Sequence, residues 1–360
     1  MDFELLINRI TKANEQAIKT SKSRWDSIAK PLGSLGILEE SIIKISGIIG
    51  TSSVKLNKKA LITMCADNGV VEEGVTQAGQ EITAIVTENF TKEKATVSIM
   101  CKKNNIDLFP IDIGIYKDMD NYLDEKDGLK PFEIINRKIS YGTKNLMKEP
   151  AMTKEETIKA IKVGIELVKE LKNQDYNIIA TGEMGIGNTT TSSSIAAVLL
   201  NKDVKEVTGK GAGLSNEGLN RKINVINEAI KINKPNPNDP LDVLCKLGGF
   251  DIAGLVGVFI GGAVYKIPIL IDGFISAVAA LVAYKINPLI KDYMLASHVS
   301  KEPAGKMLLD YLGLKPFLNA EMCLGEGSGA ICAIPILELS LEVYNKMSSF
   351  NEFDFKYIPL

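Results

Sequence analysis

The strongest constraint in this 360-residue sequence is an alternation. Short, continuous apolar runs ending in Gly, Asp or Asn are separated by longer segments with helical periodicity. Ala60–Ala66 leads into Asp67-Asn68-Gly69, and further runs cover 106–113, 177–180, 267–271 and 293–297. A run without polar alternation is what a strand buried on both faces looks like. Between runs, Thr153 and Glu156 have the spacing of a capping box, which satisfies backbone donors at a helix start. Ile158, Ile161, Ile165, Val168 and Leu171 then recur at helical spacing, and Lys169 and Lys172 suit the negative C-terminal end. The alternation predicts an α/β fold: a doubly wound, mostly parallel sheet with helices on both faces, Rossmann-like in architecture. Such sheets bind ligands beyond the carboxyl ends of their strands, so the residues just after each run carry the functional question.

Composition removes several classes of function. Lys+Arg 42 against Asp+Glu 44 leaves a net charge of −2, without the basic excess of a nucleic-acid binder. The single histidine, His298, excludes a His-rich zinc site or a two-histidine mechanism within one chain. Cys65, Cys101, Cys245, Cys323 and Cys332 are widely spaced, with no CxxC, and read as buried thiols in a reducing compartment. Met1-Asp2-Phe3-Glu4 lacks the basic-then-apolar order of a secretion signal, so the expected location is cytoplasmic. Ile252–Val264 and Phe274–Ala283 are strongly apolar, but Lys266, Pro268 and Asp272 divide them. A membrane span needs about 20 uninterrupted apolar residues, so buried helices flanking a core strand are expected instead. Two regions fall outside the alternation. Residues 1–50 read as helices broken at Pro31–Gly36. Residues 115–150 read as a charged surface excursion carrying Lys117, Asp118, Asp120, Asp124, Glu125, Lys126 and Asp127.

The segment with most chemical content is Thr181-Gly-Glu183-Met-Gly185-Ile186-Gly187-Asn188-Thr189, between an expected strand and an expected helix. Glycines bring bare amides against a ligand, and a helix N-terminus favours a phosphate. The spacing is GxxGxG, neither the dinucleotide fingerprint nor a Walker loop. A purely structural glycine turn is the plainer reading; Glu183 counts against it, because an acid beside an anion site is costly without a task. Gly325-Glu326-Gly327-Ser328-Gly329 sets a lone carboxylate at the end of an apolar approach. Burial would raise its pKa and poise it as a general base; the alternative is a helix-start acid answering the macrodipole. Asp67, Gln77, Gln80 and Asp272 follow strands as weaker candidates, and Gly209–Gly213 with Lys222 nearby could close over a phosphate. His298 follows the last apolar run and reads first as a hydrogen-bonded structural residue.

Taken in order, Lys30–Gly36, Ala66–Val70, Gly182–Thr190, Gly248–Phe250, Asp272–Phe274, Ser297–Ser300 with Glu302-Pro303, and Leu324–Ala330 form a series. From about residue 15 to Phe350 the chain resembles the nicotinate-nucleotide–dimethylbenzimidazole phosphoribosyltransferase family. The resemblance implies transfer of the phosphoribosyl group of nicotinate mononucleotide to an aromatic base such as 5,6-dimethylbenzimidazole, without metal or redox cofactor, in a homodimer. It implies a large sheet domain, 56–299, and a smaller helical domain from 1–55 and 300–360. By motif match Glu326 would accept the proton of the incoming base, and Glu183 would contact ribose or base. Gly185, Ile186, Gly187, Asn188, Thr189 and Lys222 would hold the 5′-phosphate. Gly325 and Gly327 flank the base, and Asp67, Gln77, Gln80 and Asp272 lie at the fringe. Where the family usually has Asp-His-Gly, this chain has Asp67-Asn68-Gly69. That departure, and one at Thr76–Gln80, leaves a purine or phenolic acceptor as an alternative. A dinucleotide-dependent dehydrogenase lacks its GxGxxG here. A non-catalytic nucleotide-binding partner would have no use for two acids beside an anion.

Overall fold

The structure is a computed structural model that describes residues 3–120, 122–123 and 128–353. Its strands are β1 Lys59–Ala66, β2 Asp107–Gly114, β3 Tyr122–Leu123, β4 Ile134–Asn136, β5 Ile178–Met184, β6 Ile269–Ile271, β7 Met294–His298 and β8 Pro316–Leu318. They form one sheet in the order β3-β4-β2-β1-β5-β6-β7-β8, with every pair parallel. All residues of β1 and β7 are buried, which is why their sequences are continuous apolar runs. From β1 the chain builds outward to β2, and from β5 it builds the opposite way. The β1/β5 boundary is therefore the switch point outside which an open sheet of this kind binds its ligand.

The glycine-rich segment that raised the membrane question is the helix Phe250–Tyr265, packed on Lys154–Asn173. The two backbones touch. A Cβ on Gly164 would collide with the carbonyl of Gly254, and one on Gly257 with that of Ile161. No helix among the described residues is long and apolar enough to cross a membrane.

Near the N-terminus, helices Glu15–Ser27 and Ile37–Ile49 pack together and meet the C-terminal helix Ser328–Lys346. Trp25 lies on Tyr344 with ring centroids 5.1 Å apart, and Ile28 bridges Ser349. The turn at Pro31–Gly36 is held by Glu39, which pairs with Lys30 at 2.5 Å and accepts from the Leu35 amide at 2.9 Å.

Three elements differ from the sequence reading. The strand expected at 177–180 runs on to Met184, because β1 continues alongside it as far as Cys65. Glu183 is therefore a strand residue, and the turn is only Gly185–Gly187. The 115–150 excursion is not all surface. It supplies the edge strand β3 and its short neighbour β4, tied down where the buried Asp112 carboxylate accepts from Tyr122 and pairs with Lys138 at 3.3 Å. Asp124, Glu125, Lys126 and Asp127 lie outside the described residues. The stretch after residue 300 contributes β8 to the sheet as well as helices.

Candidate active site

The carboxyl ends of β5, β6 and β7 open into a cavity of about 390 Å³. One wall is the turn after β5. Gly187 (φ +94°) caps the helix Asn188–Leu200, and the Ile186 amide donates to Thr83 at 3.2 Å. Behind this wall Lys222 is completely buried and donates from Nζ to Thr189 Oγ1 at 2.8 Å and to the Gly209 carbonyl at 3.3 Å. Burial depresses its pKa to about 8, and Glu302 across the 209–211 loop opposes the shift. Glu302 belongs to the cavity wall, and its own carboxyl is raised by burial.

The opposite wall is the turn before Ser328–Lys346. Gly325, Glu326 and Gly327 stand in succession at φ +89°, +62° and +99°. Glycine takes that region without strain, whereas glutamate pays for it. The turn is fixed from both sides. Asp272, just after β6, accepts from the Gly327 and Ala330 amides at 3.2 and 3.0 Å. The Glu326 carbonyl passes over β5 at Gly182, where a Cβ would collide with it. The Glu326 carboxylate accepts from the Val97 amide at 3.2 Å, at the N-terminus of the helix Thr96–Lys103. Glu326 thus answers a helix N-terminus, but that of a distant helix and not its own. Burial raises its pKa, and the Val97 amide works against the rise.

Between the walls lies Glu183. The Asn188 amide nitrogen donates both to Glu183 and, at 2.9 Å, to Asp251 Oδ2. Burial, then the neighbouring charges of Asp251, Asp272 and Glu326, raise the Glu183 carboxyl well above its ordinary value. Burial lifts Asp272 to about 7 despite its backbone donors. His298 closes the floor, and its burial lowers the imidazole pKa, favouring the neutral ring.

Of the sequence candidates, Glu183, Gly185, Ile186, Gly187, Asn188, Thr189, Gln77, Asp272, Gly325 and Glu326 all line this one cavity. Lys222 reaches it only through Thr189, and Gly327 sits one residue behind the wall. Asp67 and Gln80 are outside it. Asp67 accepts from the Tyr116 amide at 2.8 Å, and Gln80 donates to the Asn68 carbonyl at 3.1 Å, so both brace the turn after β1. Sequence reasoning misses Asp251. It reads there as an ordinary acid in the first turn of a helix, and only the pairing across the switch point reveals it.

The DBI_PRT family model, described as phosphoribosyltransferase, matches residues 10–354. A nicotinate-nucleotide–dimethylbenzimidazole phosphoribosyltransferase of Ruminiclostridium cellulolyticum is 48% identical over 98% of this chain and 97% of its own. One of the same name from Clostridium tetani is 46% identical over 97% and 94%. The crystal structure of CobT from Thermus thermophilus superposes with a TM-score of 0.87 at 31% identity, covering 95% of this chain and all of that one. The chain belongs to the DBI_PRT phosphoribosyltransferase family.

Proposed function

We propose that this protein transfers the 5-phosphoribosyl group of nicotinate mononucleotide to 5,6-dimethylbenzimidazole or a closely related aromatic base. The products are nicotinate and α-ribazole 5′-phosphate, a step in making the lower ligand of cobamides. The observation that carries the reading is the meeting, in one cavity, of a half-buried carboxylate and a glycine turn at a helix N-terminus. The turn, Thr189 and the Lys222 behind it suit the 5′-phosphate, since amides at a helix start and a nearby ammonium both favour an anion. Nicotinate departs from a cationic pyridinium, so no acid is needed to assist it. Positive charge develops at the anomeric carbon as that bond breaks, and the Glu326 carboxylate favours it electrostatically, while the Glu183 carboxyl, raised by burial, is placed to bond the ribose. The incoming base, attacking from the opposite face of the ribose, loses its N–H proton to Glu326. Val75, Ala78, Val86 and Leu324 give the cavity an apolar side suited to a flat, uncharged ring.

The protein acts as a homodimer in this reading, in the cytoplasm. Helix Thr96–Lys103 packs on both Glu81–Thr91 and Ser328–Lys346, and the three expose Ile99, Ile85 and Leu339, which suits a face shared with a second copy. Nicotinate release, followed by chromatography with and without 5,6-dimethylbenzimidazole, tests the reaction. Release that depends on the base is expected; release independent of it, or seen only with adenine or phenol, overturns the acceptor assignment. Light scattering tests the dimer, and a monomer mass at micromolar concentration overturns it.

A further inference from the structure

The chemistry above has no use for His298, which nevertheless lines the cavity from the end of β7. Its ring lies against Gly329, the second residue of the helix Ser328–Lys346, where a Cβ would strike Nδ1 and Cε1. Nδ1 stands 3.2 Å from Ser297 Oγ, and that oxygen stands 3.0 Å from the Asp272 carbonyl. This row of three groups fixes where the hydrogens lie. A carbonyl can only accept, so the single hydroxyl hydrogen of Ser297 goes to Asp272. Ser297 Oγ is then the acceptor towards the ring, and the hydrogen between them sits on Nδ1. Turning the ring over would set a carbon against Ser297 Oγ and forfeit that bond. In the neutral ring, which burial favours, Nε2 is left with a bare lone pair. It meets no donor among the described residues, and it is not sealed from the cavity.

We infer that His298 presents Nε2 as a hydrogen-bond acceptor to a hydroxyl of the substrate's ribose, so that the site selects a ribonucleotide over a deoxynucleotide. The inference rests on the reading that nicotinate mononucleotide is the phosphoribosyl donor. A lone pair discriminates among the polar groups of the two substrates. The 5′-phosphate and the nicotinate carboxylate are themselves acceptors and are repelled by it. The N–H of the incoming base goes to Glu326. The groups left to donate are the two ribose hydroxyls. The ribose lies between the phosphate wall and Glu326, over the floor that His298 shares with Gly273 and Ser300. Asp272 supports both sides of this arrangement. Its carboxylate holds the Glu326 turn through the Gly327 and Ala330 amides, and its carbonyl holds the His298 tautomer through Ser297. The general base and the hydroxyl acceptor are thus set by one residue.

Because the chain has a single histidine, nitrogen NMR of protein labelled at histidine reads both ring nitrogens without any variant. In the substrate-free protein at neutral pH, Nδ1 should resonate as a protonated, pyrrole-type nitrogen and Nε2 as an unprotonated, pyridine-type one. Saturating nicotinate mononucleotide should move Nε2 to lower frequency, as a lone pair does on accepting a hydrogen bond, and leave Nδ1 nearly in place. The 2′-deoxy and 3′-deoxy nucleotides identify the hydroxyl: the analogue that lacks it should leave Nε2 unmoved. In turnover, the wild type should prefer the full nucleotide to that analogue about two- to tenfold more strongly than His298→Phe does, the loss expected for one neutral hydrogen bond. Comparing the two enzymes cancels the intrinsic reactivity of the deoxy sugar. A pyridine-type Nδ1, an Nε2 unmoved by bound nucleotide, or an Nε2 moved as far by both deoxy analogues as by nicotinate mononucleotide overturns the inference. The tautomer is read without substrate, whereas base-dependent nicotinate release tests the function, so the failure of one is distinct from the failure of the other.

Discussion

Glu326 occupies a left-handed backbone position between two glycines, where a side chain carries strain that a third glycine would relieve. A carboxylate is kept there because that turn alone brings it to both the cavity and the Val97 amide. Glu326→Gln preserves the shape and removes the base, so kcat should fall by about a hundred- to ten-thousandfold, with KM for nicotinate mononucleotide nearly unchanged; steady-state kinetics decide this. The sign of the pH dependence follows from burial raising the carboxyl. In the proposed role Glu326 works ionised, so kcat/KM should decline as pH drops through a pKa above the usual carboxylate range, and Glu326→Gln should lose that acid limb. Lys222 acts on a different quantity. Its ammonium donates to Thr189 on the wall proposed for the phosphate, so Lys222→Met should raise KM about ten- to a hundredfold, as expected for losing a charged hydrogen bond, and change kcat less. Both residues stood out in the sequence as candidates, Glu326 from its glycine frame and Lys222 through the family resemblance and a neighbouring glycine loop. Asp251 did not, because it is recognised only through its contact with Asn188, and helix-start acids are common.

At the scale of elements, the site depends on how closely two of them cross. Gly182 on β5 lies directly under the Glu326 carbonyl, and any side chain there must push the turn outward. Gly182→Ala should cost about 1–3 kcal/mol of stability, typical of overpacking, and should also lower kcat, since the displaced atom belongs to the base itself. Calorimetry and turnover on the same sample check this, and a stability loss without a rate loss would detach Gly182 from the site. Long strands buried on both faces were readable because nothing in them is polar. The short strands β3, β4 and β8 were not: each has three residues or fewer and, unlike the equally short β6, none is buried throughout. At that length, pairing is set by neighbours such as the Asp112–Tyr122–Lys138 cluster and leaves no period in the sequence. β5 reads shorter in the sequence than it is for a related reason. Thr181 and Gly182 look like a turn, but the Thr181 hydroxyl lies 2.9 Å from the Leu270 carbonyl of β6 and 2.5 Å from Ser276 Oγ.

Across the whole molecule, the cavity draws on residues from Val75 to Glu326, gathered by a single parallel sheet. No local segment holds the substrate by itself, so ligand binding and folding are linked: a ligand that binds only the folded chain stabilises it by about 2.7 kcal/mol when present at a hundred times its Kd. Nicotinate mononucleotide should therefore raise the melting temperature of the wild type, and 5,6-dimethylbenzimidazole added with nicotinate, which cannot react back without a ribose phosphate, should raise it less. The variants separate the two walls. Glu326→Gln leaves the phosphate wall intact and should keep most of the nucleotide shift, while Lys222→Met should lose much of it. If the Glu326 variant lost the shift and the Lys222 variant kept it, the phosphate would be held by the turn before Ser328–Lys346 and not by the turn after β5. The orientation of the substrate across the β1/β5 boundary would then have to be reversed.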